Sequence, residues 1–231
     1  EKVDFNFHEV IQYCAYELAA IIRAFRRRAK IVHCGRAEQT DKCARLSDDM
    51  RITLMRHGEP RLAKGGWIAP MQMGAWIDLY NQSLIKDNGI PAECARAALS
   101  ASTIVASTAP RACSSARALG DLPFMQEAIF TEAGLPFALW RAPWLPPAAW
   151  AAIFRLLWLF GYARGADSLT LSRRRARIAA ERLVALAASG PVLLVGHGIM
   201  NRLIGKELQA LGWLARNRQG SRYWSMGVYE L

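Results

Sequence analysis

The chain has 231 residues, 52% hydrophobic and 21% charged, which suits a domain with a buried core and excludes a disordered or low-complexity polymer. Its formal charge of +11 favours anionic partners: phosphorylated metabolites, nucleic acid or an acidic membrane surface. The five cysteines are odd in number and form no CxxC pair, so reduced thiols in a cytoplasm are expected rather than a disulfide framework or a zinc site.

In chain order, Val10, Ile11, Cys14, Leu18, Ile21, Ile22 and Phe25 recur at spacings of three and four, which predicts a helix over 8–30. The run Arg26-Arg27-Arg28-Ala29-Lys30 closes it, favourably for a helix C-terminus. Polar and turn-forming residues over 35–49 read as a linker. Residues 1–49 are therefore expected to be an N-terminal helical extension: a docking helix, a membrane-surface helix, or sequence ahead of an internal start at Met50. Its acidic residues nearly cancel its basic ones, unlike a basic amphipathic anchor.

From residue 50 to 231 the pattern alternates between strand and helix. The apolar run 52–55 predicts a strand ending at Arg56-His57-Gly58-Glu59. A helix is expected over 73–85, a strand over 102–106 and a helix over 110–119 opened by Pro110. An edge strand is expected over 124–130. The stretch 140–160, rich in Trp and Pro, reads as an inserted loop plus helix, with Trp140, Trp144, Trp150 and Trp158 either packing a core or forming a lid over an apolar substrate. The most apolar stretch, 142–163, is broken by Pro143, Pro146, Pro147 and Arg155, so no transmembrane span is expected. A helix over 172–188, an apolar strand over 192–195, a helix to 211 and a strand over 223–231 complete the series. Such alternation predicts an α/β fold with a mainly parallel central sheet and helices on both faces. Ligands of such folds sit beyond the carboxyl ends of the strands, which is where His57 and His197 fall. Each histidine is followed by a glycine, giving an exposed ring beside open backbone.

Leu54-Met55-Arg56-His57-Gly58-Glu59 is similar to the RHG signature of the histidine phosphatase (phosphoglycerate mutase-like) superfamily, which the chain resembles. The segment 106–112, ending in Arg111-Ala112, is similar to its small-residue strand end and arginine-bearing helix. Phe130-Thr131-Glu132 is similar to the segment with its acidic residue, and 192–198 to its second-histidine motif. The resemblance implies a phosphoglycerate mutase-like fold and a metal-independent phosphatase with no cofactor. In it, His57 is the phosphate-accepting nucleophile, Glu132 the general acid and His197 a further donor. Arg56, Arg111, Gly58 and Glu59 contact phosphate or substrate, with Glu59 the alternative acid. Pro60 departs from the family's usual threonine.

The short catalytic portion, without the mutases' extended polar pattern, favours a phosphatase over a phosphomutase. A non-catalytic phospho-ligand-binding module is disfavoured because no member of the constellation is missing. Nucleic acid is disfavoured because the arginines are scattered without a reading module. The expected partner is a phosphorylated small molecule, with the aromatic insertion pointing to an apolar or aromatic portion. Oligomeric state stays open, a homodimer being one arrangement.

Overall fold

The computed structural model describes residues 50–62 and 65–231. The helix and linker expected over 8–49 lie outside the described residues.

Two apolar runs make the centre of the sheet. β1 (Arg51–Arg56) and β4 (Val192–Gly196) pair in parallel, flanked by β2 (Thr103–Ala106) and, at one edge, β3 (Met125–Gln126). β6 (Met226–Glu230) joins β1 antiparallel, and β5 (Leu214–Asn217) joins β6 antiparallel, giving the order β3-β2-β4-β1-β6-β5. The expected mainly parallel sheet is thus four parallel strands closed at one edge by an antiparallel pair.

Side chains of a strand alternate between faces, and both faces here are covered. Ile52, Leu54, Val192 and Leu194 pack one face against α5 (Leu169–Ala187) and α6 (Gly198–Ala210). Met55, Leu193 and Val195 pack the other against α2 (Ala92–Leu99) and α3 (Pro110–Ala118). A third cluster lies apart from the sheet, where Met73 of α1 (Met73–Gln82) meets Trp150 and Phe154 of α4 (Pro147–Leu159). No helix among the described residues is long and apolar enough to cross a membrane.

Some expected elements differ in detail. The strand expected over 124–130 pairs only through Met125 and Gln126, and Ala128–Phe130 is a 3-10 turn. Phe130 is completely buried, and the turn is what swings it from the exposed sheet edge into the core. α1 stops at Gln82 rather than 85: Ser83 turns extended, donates its hydroxyl to Tyr80 O at 2.7 Å, and frees Ile85 to bridge to Pro60. Ser168 opens α5 early by accepting the Leu171 N–H at 3.2 Å. α2 and β5 had no counterpart in the sequence reading.

Candidate active site

The parallel register does the first part of the assembly. Arg56 sits opposite Gly196, and the next residue, His57, donates its N–H to Gly196 O at 3.0 Å. On the other side of β4, Ser107 donates its N–H to Val195 O at 3.1 Å. Three strand ends therefore bring His57, His197 and Ser107 to one edge of the sheet. The two imidazole centroids are 5.1 Å apart, and both rings are buried.

His57 Nδ1 lies 2.7 Å from the carbonyl oxygen of Gly58. A carbonyl only accepts, so Nδ1 carries the proton and Nε2 presents its lone pair. Gly58 is itself fixed. Its N–H donates to Ser115 Oγ at 2.9 Å, and a Cβ there would stand 2.6 Å from the Trp224 ring. Both backbone polar groups of Gly58 are thus engaged within the protein. His197 Nε2 is 2.6 Å from Ser107 Oγ, while its Nδ1 is buried with no protein partner. Ser107 also accepts the Ala109 N–H at 3.3 Å, so it both braces a histidine and turns the chain into α3.

Asn201 binds the two histidine-bearing segments together. Its Oδ1 accepts the His197 N–H at 3.2 Å and its Nδ2 donates to Met55 O at 3.0 Å. The bridge fits only because residue 196 has no side chain, since a Cβ there would lie 2.3 Å from Asn201 Oδ1. Gly196→Ala is expected to destabilise the fold by about 2 kcal/mol, the usual cost of forcing an extra carbon into packed surroundings, read as a lower urea midpoint. An unchanged midpoint would show that Asn201 shifts freely.

Burial, then Arg111, then Arg56, lower the His57 pKa from 6.5 to about 3, against the pull of the Gly58 carbonyl. Burial, Arg111 and His57 hold His197 well below its ordinary value. Both rings are thus neutral at pH 7. The unfolded chain protonates its histidines below about pH 6.5, whereas in the folded chain His57 takes up a proton only near pH 3 and His197 well below its ordinary value. Between those limits the unfolded state binds more protons, so stability falls as pH falls, by about 1.4 kcal/mol per pH unit for each ring. Above about 6.5 these groups contribute no slope. Urea titrations at pH 6.5 and 4.5 are expected to show this loss for wild type and a smaller one for His57→Gln. Equal losses would contradict it.

Arg111, at the start of α3, is 2% exposed. Its Nη1 donates to Tyr80 O at 3.3 Å and Asn81 Oδ1 at 3.4 Å, and its guanidinium lies 4.5 Å from the centroid of the Tyr80 ring. Arg56 donates to Ser221 O and lies 4.5 Å from the centroid of Tyr223. The Nε atoms of both arginines are buried and without a protein partner. Tyr223 in turn sits 5.8 Å from the His57 ring.

The two candidate acids are placed very differently. Glu132 reaches the N-terminus of α6, where Oε1 accepts the Met200 N–H at 2.9 Å and Oε2 the Ile199 N–H at 3.3 Å; Oε1 also accepts the Ala133 N–H at 3.0 Å. Glu59 pairs with Lys86 and with Asn88 in an exposed setting. Among the described residues, no three His, Cys, Asp or Glu side chains gather as a metal-ion ligand set.

Several residues with no assigned role support the site. Arg175 donates to the carbonyl oxygens of Thr131 (2.6 Å) and Glu132 (3.2 Å), fixing the acidic segment, whereas Arg173 and Arg174 are exposed. Arg155 does the same for Ala133 O and Gly134 O, at 3.1 and 3.0 Å. A signal for Arg175 existed: it is three residues from Ser172 and four from Ala179, beside the buried face of α5.

Beside the two arginines opens a cleft of about 1270 Å³, with Arg56, Arg111, Glu132 and Tyr223 among its lining residues. The four tryptophans of the insertion do not line it. Trp150 and Trp158 are core residues, donating their indole N–H groups to Ile68 O and Asp167 O, and Trp140 and Trp144 are exposed. The apolar wall is made instead by residues including Trp76, Ile77, Leu135 and Phe137.

No family model and no curated protein matches this chain. Solved structures do. A mycobacterial glucosyl-3-phosphoglycerate phosphatase is 22% identical over 69% of this chain and 79% of its own, with a TM-score of 0.47. A phosphoserine phosphatase from Entamoeba histolytica, in complex with 3-phosphoglyceric acid, is 14% identical over 77% of this chain and 89% of its own, with a TM-score of 0.49. A mycobacterial hydrolase is 21% identical over 79% and 97%, again with a TM-score of 0.49. At these identities and scores, the case for an activity rests on the site's own residues.

Proposed function

We propose that this chain is a phosphomonoester hydrolase of the histidine phosphatase superfamily. One observation carries the reading: a buried, neutral His57 whose Nδ1 proton is tied to Gly58 O, leaving the Nε2 lone pair beside two arginines. In a first step Nε2 forms a bond to phosphorus while the bond to the ester oxygen breaks. Arg56 and Arg111 meet the charge spread over the phosphoryl oxygens, and the unpartnered Nδ1 of His197 faces the same demand for a polar contact. Glu132 supplies the proton that the leaving oxygen needs. Its Oε1 is held by two N–H donors within 3.0 Å, so Oε2, with one 3.3 Å contact, is the oxygen suited to exchanging a proton. In the second step water attacks phosphorus, the N–P bond breaks, its electron pair returns to Nε2, and Glu132 takes the water's proton. Glu59, whose carboxylate pairs with the Lys86 ammonium in an exposed setting, is the alternative for this role. The arginines supply the positive charge that a metal would otherwise bring, so turnover is expected to proceed in EDTA.

The test is to incubate the protein with a radiolabelled phosphomonoester in EDTA and quench with alkali, under which phosphohistidine survives. The expected label is acid-labile and lies on the peptide carrying His57. Label on another residue, or turnover that EDTA abolishes and a divalent ion restores, would overturn the mechanism.

A further inference from the structure

We propose that the cleft selects phosphomonoesters whose organic part is a flat aromatic group, seated against Trp76 and facing the alanine side of α4. The inference rests on the phosphatase reading above and names its substrate class.

The cleft changes character along its length. Near the phosphate site two polar groups are already engaged: Asn81 accepts from Arg111, and Ser221 accepts from Arg56 through its carbonyl. From there α1 leads outward. Arg111 lies on the Tyr80 ring, and Tyr80 stacks on Trp76 one helical turn away, with centroids 5.4 Å apart and planes 21° off parallel. One turn of helix is about 5.4 Å, so Trp76 stands about one aromatic ring further from the arginine than Tyr80 does. A ring joined to the phosphate through one or two atoms reaches that distance.

Another part of the lining is built to leave room. Ala148, Ala151, Ala152 and Arg155 all line the cleft and fall at successive positions i, i+3, i+4 and i+7 of α4, so they form one face of that helix. Three methyl groups where most residues would project a chain give a shallow, apolar floor. Arg155 ends the face against Ala133 O and Gly134 O, next to Glu132. Phe137 completes the enclosure, packed close to Gly74 of α1, where a Cβ would lie 3.3 Å from its ring. Trp76, Ile77, Leu135, Phe137 and Ala151 offer sugar hydroxyls no side-chain partner of their own, Asp78 and Arg155 being the polar residues beside them in the lining, whereas an aromatic face loses nothing polar against these five. Aromatic stacking and apolar burial therefore favour an aryl group here.

The experiment separates binding from chemistry. Calorimetry compares 2-phenylethylphosphonate with ethylphosphonate, which share a head group and cannot be hydrolysed. Turnover compares 2-phenylethyl phosphate with ethyl phosphate, whose leaving oxygens are alike, so reactivity does not mimic recognition. The phenylethyl compounds are expected to bind about tenfold more tightly and to show a KM about tenfold lower. Trp76→Ala is expected to remove most of that preference while leaving the ethyl compounds within about twofold. Ala152→Trp, at an exposed helix position, is expected to do the same by filling the cleft, which guards against a folding defect in the first variant. Equal affinity for the two phosphonates in wild type, or equal losses on both in the two variants, would overturn the proposal. Aryl preference in binding with no hydrolysis of any ester would instead overturn the phosphatase reading and leave the aryl site standing.

Discussion

Replacing His57 with alanine is expected to lower kcat on p-nitrophenyl phosphate by about 10⁴-fold, the scale seen when a covalent nucleophile is removed and only binding and charge stabilisation remain. The variant should stay folded. The ring has one strong hydrogen bond, to its neighbour's carbonyl, and the strand ends around it are held by Gly196, Asn201 and Ser115. Removing a buried neutral imidazole also removes its contribution to the acid-side loss of stability. Circular dichroism and the urea midpoint at pH 7 check the fold, and phosphate release checks the chemistry. A variant retaining a tenth or more of wild-type kcat would mean that another group attacks phosphorus, and the assignment of His57 would fall.

The second large effect is expected at Arg111. Arg111→Lys should lower kcat/KM by about 10³-fold even though the charge is kept. An ammonium offers no planar fork, cannot bond two phosphoryl oxygens side by side, and stacks poorly on the Tyr80 ring. Loss of one preorganised donor alone is worth about 10²–10³ in rate; the bidentate geometry and the ring contact add to it. Arg111→Met goes further in a different direction. Arg111 is the second cause, after burial, of the low proton affinity of His57, so removing its charge should move the His57 titration upward towards the ordinary range. Proton NMR of the imidazole in the free protein measures this. A His57 titration unchanged in Arg111→Met would show that burial alone sets it, and a lysine variant within tenfold of wild type would remove Arg111 from the phosphate site.

How much of this was legible beforehand divides along a physical line. The strand ends were readable, because an apolar run that stops at His-Gly marks both the strand and its carboxyl edge, and the parallel register then places His57 beside His197. Arg111 came from the resemblance of 106–112 to the family's arginine-bearing helix, and Pro110 marked where that helix, α3, opens. What escaped depends on contacts between segments far apart in sequence. Asn201 looks like an ordinary polar residue of α6 until the fold sets its amide between His197 and Met55. Tyr80 and Tyr223 gain their places only from the arginines lying on them. The tryptophans stayed open between core and lid for the opposite reason: an aromatic-rich insertion signals apolar burial without saying which side faces a ligand. The cleft wall came from Trp76 of α1 and the alanines of α4, residues with no compositional mark. The short β3 shows the same limit, since one buried phenylalanine five residues on decides where pairing stops.

The register of β1 on β4 has a further consequence. Side chains alternate with every residue, so a slip of one position would turn the core-facing set to the wrong face and set Arg56, not His57, against the Gly196 carbonyl. No partly paired sheet can therefore hold the two imidazoles together. The strands concerned are separated by most of the domain, and contacts so distant in sequence form slowly. The proposed turnover is consequently expected to be a late reporter of refolding: helix content and apolar collapse should recover first, and phosphate release only when the central pair has locked in place.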